Sequence, residues 1–80
     1  MSFNTEVELH GPFVRGWYSD DGKIADDDDW INVSQICTVY KFGQHIWITL
    51  DPQRQYLVAR TVDEQAAEIE LHRFLSALAG

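Results

Sequence analysis

Apolar and polar residues alternate along two short runs in the second half of the chain, Ile46 to Leu50 and Tyr56 to Ala59. A period of two residues is typical of a β-strand with one buried face. Between the runs lies Asp51-Pro52-Gln53-Arg54, whose composition is typical of a turn. The pattern therefore predicts a strand, a turn and a second strand.

A helical period begins directly after the second strand. Thr61 and Glu64 have the spacing of a capping box, in which each side chain bonds the backbone N–H of the other residue. The residues that follow predict a helix of roughly four to five turns at 3.6 residues per turn.

The predicted helix carries two apolar stripes on roughly opposite sides. The first stripe consists of Ala67, Leu71, Phe74, Leu75 and Leu78. The second stripe consists of Val62, Ala66 and Ile69. A helix that covers a sheet needs only one stripe, so we expect the second to form a homodimer interface, since two-fold dimers are the commonest oligomers. The alternative is a helix that is buried on both sides by its own N-terminal strands.

The N-terminal half of the chain is β-prone but less regular. Residues Met1 to Gly11 alternate weakly and Phe13 to Tyr18 form a further β-prone run, so each predicts a strand. Lys23 to Ala25 form either a short strand or irregular chain. In the next run the alternation fails near Asn32 to Gln35, which predicts a bulge or a turn there and a strand from Ile36 to Phe42.

Together these elements predict a single α+β domain over residues 1–80. Its small antiparallel sheet is expected to be a meander of three to five strands, covered by one C-terminal helix. Residues 1–29 would supply N-terminal strands and an acidic loop, and residues 30–80 the strand-turn-strand-helix unit.

Charge narrows the range of partners. The formal net charge is −7 in 80 residues, and the six basic residues are spread along the chain. Such a chain has no basic patch with which to neutralise phosphates, so direct binding to nucleic acid or to an anionic membrane is disfavoured. A basic protein, including a nucleic-acid-binding protein with a basic groove, is electrostatically favoured. The alternative is that the surplus acid only keeps a small protein soluble.

Four adjacent aspartates, Asp26, Asp27, Asp28 and Asp29, form the acidic tract. Because adjacent carboxylates repel one another, the tract predicts an exposed loop. An EF-hand calcium loop requires alternating ligands, a central Gly and a distal Glu, and the tract lacks this pattern. We expect a solvated loop rather than a cation site, and no metal or cofactor.

Aromatic residues flank the acidic tract. Aromatic side chains beside carboxylates are typical of protein-binding hot spots with electrostatic steering, although the tryptophans could instead belong to the core. The residues expected to form the partner-binding surface are Asp26, Asp27, Asp28, Asp29, Trp30 and Trp17.

No motif indicates catalysis, and we do not expect an enzyme. The five glycines are isolated, so the chain has no glycine-rich phosphate loop. Cys37 lies in an apolar β-prone run, which predicts an inert core thiol. His10, His45 and His72 have neither metal-ligand nor catalytic spacing. The single cysteine and the lack of an export signal or an apolar run of about 18 residues predict a cytoplasmic protein.

The C-terminal part of the chain resembles a known family. Trp30-Ile31-Asn32-Val33-Ser34-Gln35-Ile36, Ile46 to Leu50, Tyr56-Leu57-Val58 and Thr61-Val62-Asp63-Glu64 occur in the order seen in the small flagellar FlbD-like family. The chain departs from that family at Asp51-Pro52-Gln53-Arg54, where an Asn-Gly type turn is usual, and residues 1–29 have no counterpart. The resemblance implies a small non-enzymatic accessory protein, without carrying over a flagellar role.

Three classes of function remain open from the sequence. The first is a non-enzymatic interaction module that binds a basic protein, in its sharpest form a small acidic inhibitor of phage or mobile-element type. The second is a structural or assembly protein whose role is oligomerisation. The third is a ligand-binding or catalytic module with a site between subunits.

Overall fold

The computed structural model describes residues 3–51 and 54–80. Met1, Ser2, Pro52 and Gln53 lie outside the described residues, and with them the start of the first predicted strand and the centre of the turn predicted after Leu50. The elements in chain order are β1 (Leu9–His10), β2 (Phe13–Asp20), β3 (Lys23–Asn32), a 3₁₀ turn (Val33–Gln35), β4 (Thr38–Phe42), β5 (His45–Asp51), β6 (Arg54–Arg60) and the helix α1 (Glu64–Ala79).

The predicted α+β class is confirmed. Five strands form a curled antiparallel sheet in the order β3-β2-β6-β5-β4, and the two-residue β1 lies beside β2. Of the bulge or turn predicted at residues 32–35, the structure has the turn, a single 3₁₀ turn over Val33–Gln35. There the Asn32 side chain accepts a hydrogen bond of 2.9 Å from the backbone N–H of Ser34.

One face of the sheet, here called the inner face, is covered by α1. Its core consists of Val7, Val14, Ile31, Ile46, Ile48, Tyr56, Val58, Ala59 and Phe74. Phe74 is the residue of α1 that belongs to this core cluster, and it is 1% exposed. Leu71 and Leu78 of the same helix pack against the cluster. Leu75, which the sequence assigned to this stripe, is 42% exposed, so the covering stripe of the helix is narrower than predicted.

The capping box predicted at the start of the helix is wrong. Thr61 is buried and belongs to the chain that extends from β6: its backbone N–H and its hydroxyl both donate to the carbonyl of Gln44, each at 2.8 Å. The N-cap is Asp63, whose Oδ1 accepts from the backbone N–H of Ala66 at 2.7 Å. The carboxylate therefore satisfies one of the N–H groups that a helix start leaves without a partner.

The N-terminal segment fills a gap within the sheet. β2 and β6 pair only between Trp17–Ser19 and Gln55–Leu57 and diverge beyond that stretch. Residues 4–10 lie in the resulting wedge, because Arg60 N–H donates to the carbonyl of Asn4 and Arg15 N–H donates to that of Glu8. A strand was predicted over residues 1–11; within its described part, residues 3–11, only Leu9–His10 is a regular strand, since each side of the segment contacts a different strand.

The acidic tract is not a loop, and that prediction is wrong. Asp26 to Asp29 lie inside β3, which returns from a tight turn at Asp21 and Gly22, both with positive φ. The β2–β3 register shifts between Trp17 and Ser19, so extra residues of β3 bulge opposite Tyr18. Because β3 lies at an edge of the sheet, the tract can be a strand and remain exposed.

The helix α1 has 16 residues. In the part of the chain that the structure describes, no helix is long and apolar enough to cross a membrane.

Candidate functional site

The face of the sheet opposite α1, here called the outer face, carries most of the aromatic residues. Alternation along β2 places Val14 on the inner face and Phe13, Arg15 and Trp17 on the outer face. Trp17 is nevertheless only 3% exposed. The Phe3 ring packs edge-on at 5.3 Å between centroids, and the Arg15 guanidinium lies 5.0 Å from the Trp17 ring. Trp17 is thus covered by its own chain and does not belong to a partner-binding surface, contrary to the sequence-based expectation.

Trp30 differs from Trp17 in being open to solvent. It is 46% exposed, pairs with Arg15 across the β2–β3 ladder and meets the His10 ring edge-on at 6.0 Å. Phe13, which pairs with His10, is 40% exposed. His10, Phe13 and Trp30 together form a half-exposed cluster on the outer face, here called the aromatic patch.

The carboxylates of the acidic tract have unequal environments. Asp28 Oδ2 accepts from Arg15 Nε, and Arg15 Nη1 donates to Glu8 Oε1 at 3.2 Å. The hydrogen bonds that Arg15 donates to Asp28 and, with a smaller effect, to Glu8 raise the pKa of its guanidinium. Within residues 3–51 and 54–80, Asp26, Asp27 and Asp29 form no ion pair and are exposed. Their charge is therefore available to a partner.

The acidic tract does not converge on a cation. Asp28 and Asp29 lie in the regular part of β3 and point to opposite faces of the sheet, whereas Asp26 and Asp27 lie in the bulge opposite Tyr18. Among the described residues, no three His, Cys, Asp or Glu side chains are placed to hold a metal ion.

The second predicted interface lies on α1 and on the chain just before it, because Val62 precedes the helix and was wrongly predicted to lie within it. Val62 and Ile69 are 78% and 64% exposed, and Ala66 between them is half-buried. These three residues line one side of a groove of about 270 Å³, here called the helix groove. The other residues that line it are Thr5, Glu6, Thr61 and Glu70. The three residues of the second stripe therefore lie together on one surface, next to Thr5 and Glu6 of the N-terminal segment.

At the helix groove, the buried Glu70 forms an ion pair with the half-exposed Arg73, and the sequence did not predict this pair. Glu70 is 7% exposed, and its Oε2 accepts from the backbone N–H of Val7 at 2.7 Å. Arg73 donates from Nε to Glu70 Oε1 at 2.9 Å and from Nη2 to the carbonyl of Val7 at 2.9 Å. Glu70 and Arg73, here called the clamp, thereby satisfy both backbone groups of Val7, as a neighbouring strand would.

The clamp shifts the pKa of its own members. The hydrogen bond from Arg73 lowers the pKa of Glu70 below its ordinary value of 4.5, outweighing burial, which raises it. The same bond raises the pKa of Arg73. The available sequence signal was the spacing of Glu70 and Arg73, three residues apart, which places both on one side of a helix.

The three histidines considered for catalysis each contact a different neighbour, and within the described residues no hydrogen bond or ring contact joins one of them to another. His10 meets Trp30, His45 meets Trp47 at 6.1 Å, and His72 meets Glu68 at 3.3 Å. Cys37 is exposed rather than in the core, and its thiol donates to the carbonyl of Leu50 at 2.7 Å. The expectation of a core thiol is wrong because Cys37 precedes β4 instead of lying within it.

No family model, curated protein or solved structure matches this chain. The resemblance to the FlbD-like family remains a prediction.

Proposed function

We propose that this protein is a non-enzymatic interaction module that binds a basic protein partner. Its binding surface consists of the exposed carboxylates of the acidic tract together with the aromatic patch. The observation that carries the proposal is their adjacency: Asp29 and Trp30 are consecutive residues of one edge strand and both are exposed.

The two parts of this surface supply different components of binding. Three unpaired carboxylates on a chain of net charge −7 attract a basic protein and raise its rate of association. Half-exposed aromatic rings bury a large area at little cost in conformational entropy, and such residues dominate many protein interfaces. Trp30 is therefore the expected anchor, and the carboxylates supply steering and charge selection.

The sharpest form of this proposal is an acidic inhibitor, of the type found in phages and mobile elements, that covers the nucleic-acid-binding surface of its target in the cytoplasm. A partner that binds phosphate through Lys and Arg offers the charge that the acidic tract complements. The small size of the chain suits such a role, since an inhibitor needs one surface and no pocket.

The experiment is affinity capture from a nuclease-treated bacterial lysate, followed by titration of the purified captured protein. A variant with Asp26, Asp27 and Asp29 changed to Lys, and a second with Trp30→Ala, test the surface. Ile69→Ser, an exposed position in the helix groove that is not part of the proposed binding surface, is the control. We expect a basic protein that binds the wild type and the control alike, weakens at high salt and is lost by both surface variants. Equal capture by all four proteins would refute the proposal.

A second candidate function is assembly through a homodimer. The helix groove favours a homodimer, because the exposed side chains of Val62 and Ile69 stand at the edge of the groove that they help to line. In a two-fold pair, one patch meets its own copy, so a projection beside a depression is complementary to itself.

Sedimentation equilibrium tests the homodimer. We expect the wild type to associate with concentration and Ile69→Asp to remain a monomer with unchanged circular dichroism and unfolding midpoint. A wild type that stays monomeric at high protein concentration would exclude the dimer.

A further inference from the structure

The direction of the backbone groups of β3 follows from two hydrogen bonds on the other side of β2. Arg15 N–H donates to the carbonyl of Glu8, so the backbone of Arg15 faces β1. In antiparallel pairs, residues that face one neighbour alternate with residues that face the other. Arg15 pairs with Trp30, and therefore the N–H and C=O of Trp30 point away from β2.

The same alternation extends along the strand. Val33 N–H donates to the carbonyl of Pro12, one pair beyond Phe13 and Asn32, which fits the same phase. Asp28, two residues before Trp30, then also directs its backbone outward, whereas Asp29 and Ile31 direct theirs to β2. Within the described residues β3 pairs only with β2, so this outer edge of β3 is open.

We propose that the open edge of β3 around Asp28 and Trp30 binds an extended basic segment of the partner by β-strand addition. This inference rests on the proposed function and specifies its mode. Main-chain hydrogen bonds to the edge would supply affinity, and the side chains beside them would select the sequence.

The side chains along the edge determine what the added strand carries. The partner residue opposite Trp30 has its side chain on the outer face, next to the indole, where Lys or Arg gains a cation–π contact. The carboxylate of Asp29 lies exposed on the other side of the strand, beside the next partner residue. A strand with basic residues on both of its faces therefore matches this edge.

A second copy of the chain is a poor occupant of the same edge. Pairing two β3 edges would set exposed aspartates against aspartates, and like charges directly opposite one another destabilise a ladder. Acidic side chains on an edge thus reject self-pairing while they admit a basic strand.

Hydrogen exchange of individual amides, followed by NMR, tests the inference. The probe is a peptide that repeats Lys-Lys-Val-Val, which is basic and β-prone and carries Lys on both faces of an extended strand, and its matched control is the same peptide N-methylated throughout. We expect the first peptide to slow exchange at the Asp28 and Trp30 amides. The Asp29 and Ile31 amides, already bonded to β2, serve as the internal control. The N-methylated peptide, which keeps its charge but cannot donate along its backbone, should bind at least about tenfold more weakly.

The outcomes separate the inference from the proposed function. Strand addition is overturned if both peptides bind equally, or if binding leaves the Asp28 and Trp30 amides unprotected. Either result would still be consistent with binding through charged and aromatic side chains alone. No binding of either peptide also overturns strand addition. The proposed function fails separately, if the Lys substitutions in the acidic tract and Trp30→Ala leave capture of the partner unchanged.

Discussion

The carboxylate of Glu70 and those of the acidic tract differ in burial and in hydrogen bonding. Glu70 is 7% exposed and bonded to Arg73 and to the Val7 backbone, so each of its oxygens has a partner inside the fold. Asp26, Asp27 and Asp29 are exposed and have no ion pair among the described residues. Only Asp28, which bonds Arg15, resembles Glu70.

The comparison separates carboxylates that hold the fold together from those that remain available to a partner. A buried carboxylate is tolerated only where fixed donors replace water, whereas an exposed one needs no such donors. Residue type does not distinguish the two. Four predictions test the distinction, from the largest expected effect to the smallest.

Phe74→Asp should unfold the domain. It places a carboxylate four residues after Glu70 in the same helix, but in the core and without a donor. Loss of the phenyl ring costs roughly 3–5 kcal/mol. The unpaired buried charge adds several kcal/mol, and the sum is comparable with the whole stability of about 5–15 kcal/mol expected for a small domain. Circular dichroism should show loss of the native spectrum; a folded Phe74→Asp protein would show that burial alone does not exclude a carboxylate here.

Glu70→Ala should lower the free energy of unfolding by about 2 kcal/mol, because it leaves the Val7 N–H without an acceptor. The effect falls below that of a fully buried pair, since the Arg73 side chain is 50% exposed and can be solvated. Glu68→Ala is the matched control on the same helix: Glu68 is exposed and forms surface ion pairs, which are worth about 0–1 kcal/mol. Urea unfolding measures both, and equal losses would contradict a special role for Glu70.

The clamp should also make stability depend on pH. The pKa of Glu70 is lowered in the folded state, so its contribution is fully present above its ordinary value of 4.5 and is lost as pH falls through the lower folded pKa. Glu70→Gln keeps an acceptor for Val7 but cannot titrate. The difference in unfolding free energy between wild type and Glu70→Gln should therefore be largest at neutral pH and shrink in acid. A difference that stays constant with pH would exclude this linkage.

Changing Asp26, Asp27 and Asp29 together to Asn should alter the free energy of unfolding by no more than about 0.5 kcal/mol per site, as is usual for exposed positions. The sign should be stabilising if it is resolved, since mutual repulsion is removed. Asp28→Asn, which weakens the bond to Arg15, is the variant expected to differ from this group. A large loss from the triple variant would mean that the acidic tract is structural.

The sheet and helix could be predicted because their signal is local. Alternation along β5 and β6 and the helical period of α1 depend on near neighbours only, and the α+β class followed from them. Where distant parts of the chain meet, the same reasoning failed. Thr61 bonds Gln44 and not the start of the helix, so Asp63 became the cap.

The candidate site shows the same division. Exposure of Ile69 followed from its helical phase, whereas Val62 is exposed in the chain that precedes α1. The environment of Trp17 depends on Phe3 and Arg15, and the strand that contains the acidic tract depends on its pairing with β2. Charge repulsion predicts exposure correctly but does not distinguish a loop from an edge strand.

The clamp joins residues that stand 63 positions apart, and this separation constrains when the protein can fold. The ribosome delivers the N-terminal segment before its partners in α1. Until α1 has been synthesised, the wedge between β2 and β6 has no clamp and the inner face has no cover. We expect a chain arrested before Glu64 to be digested readily by protease, and the completed chain to resist. The helix α1 must therefore leave the ribosome before this domain can hold its shape.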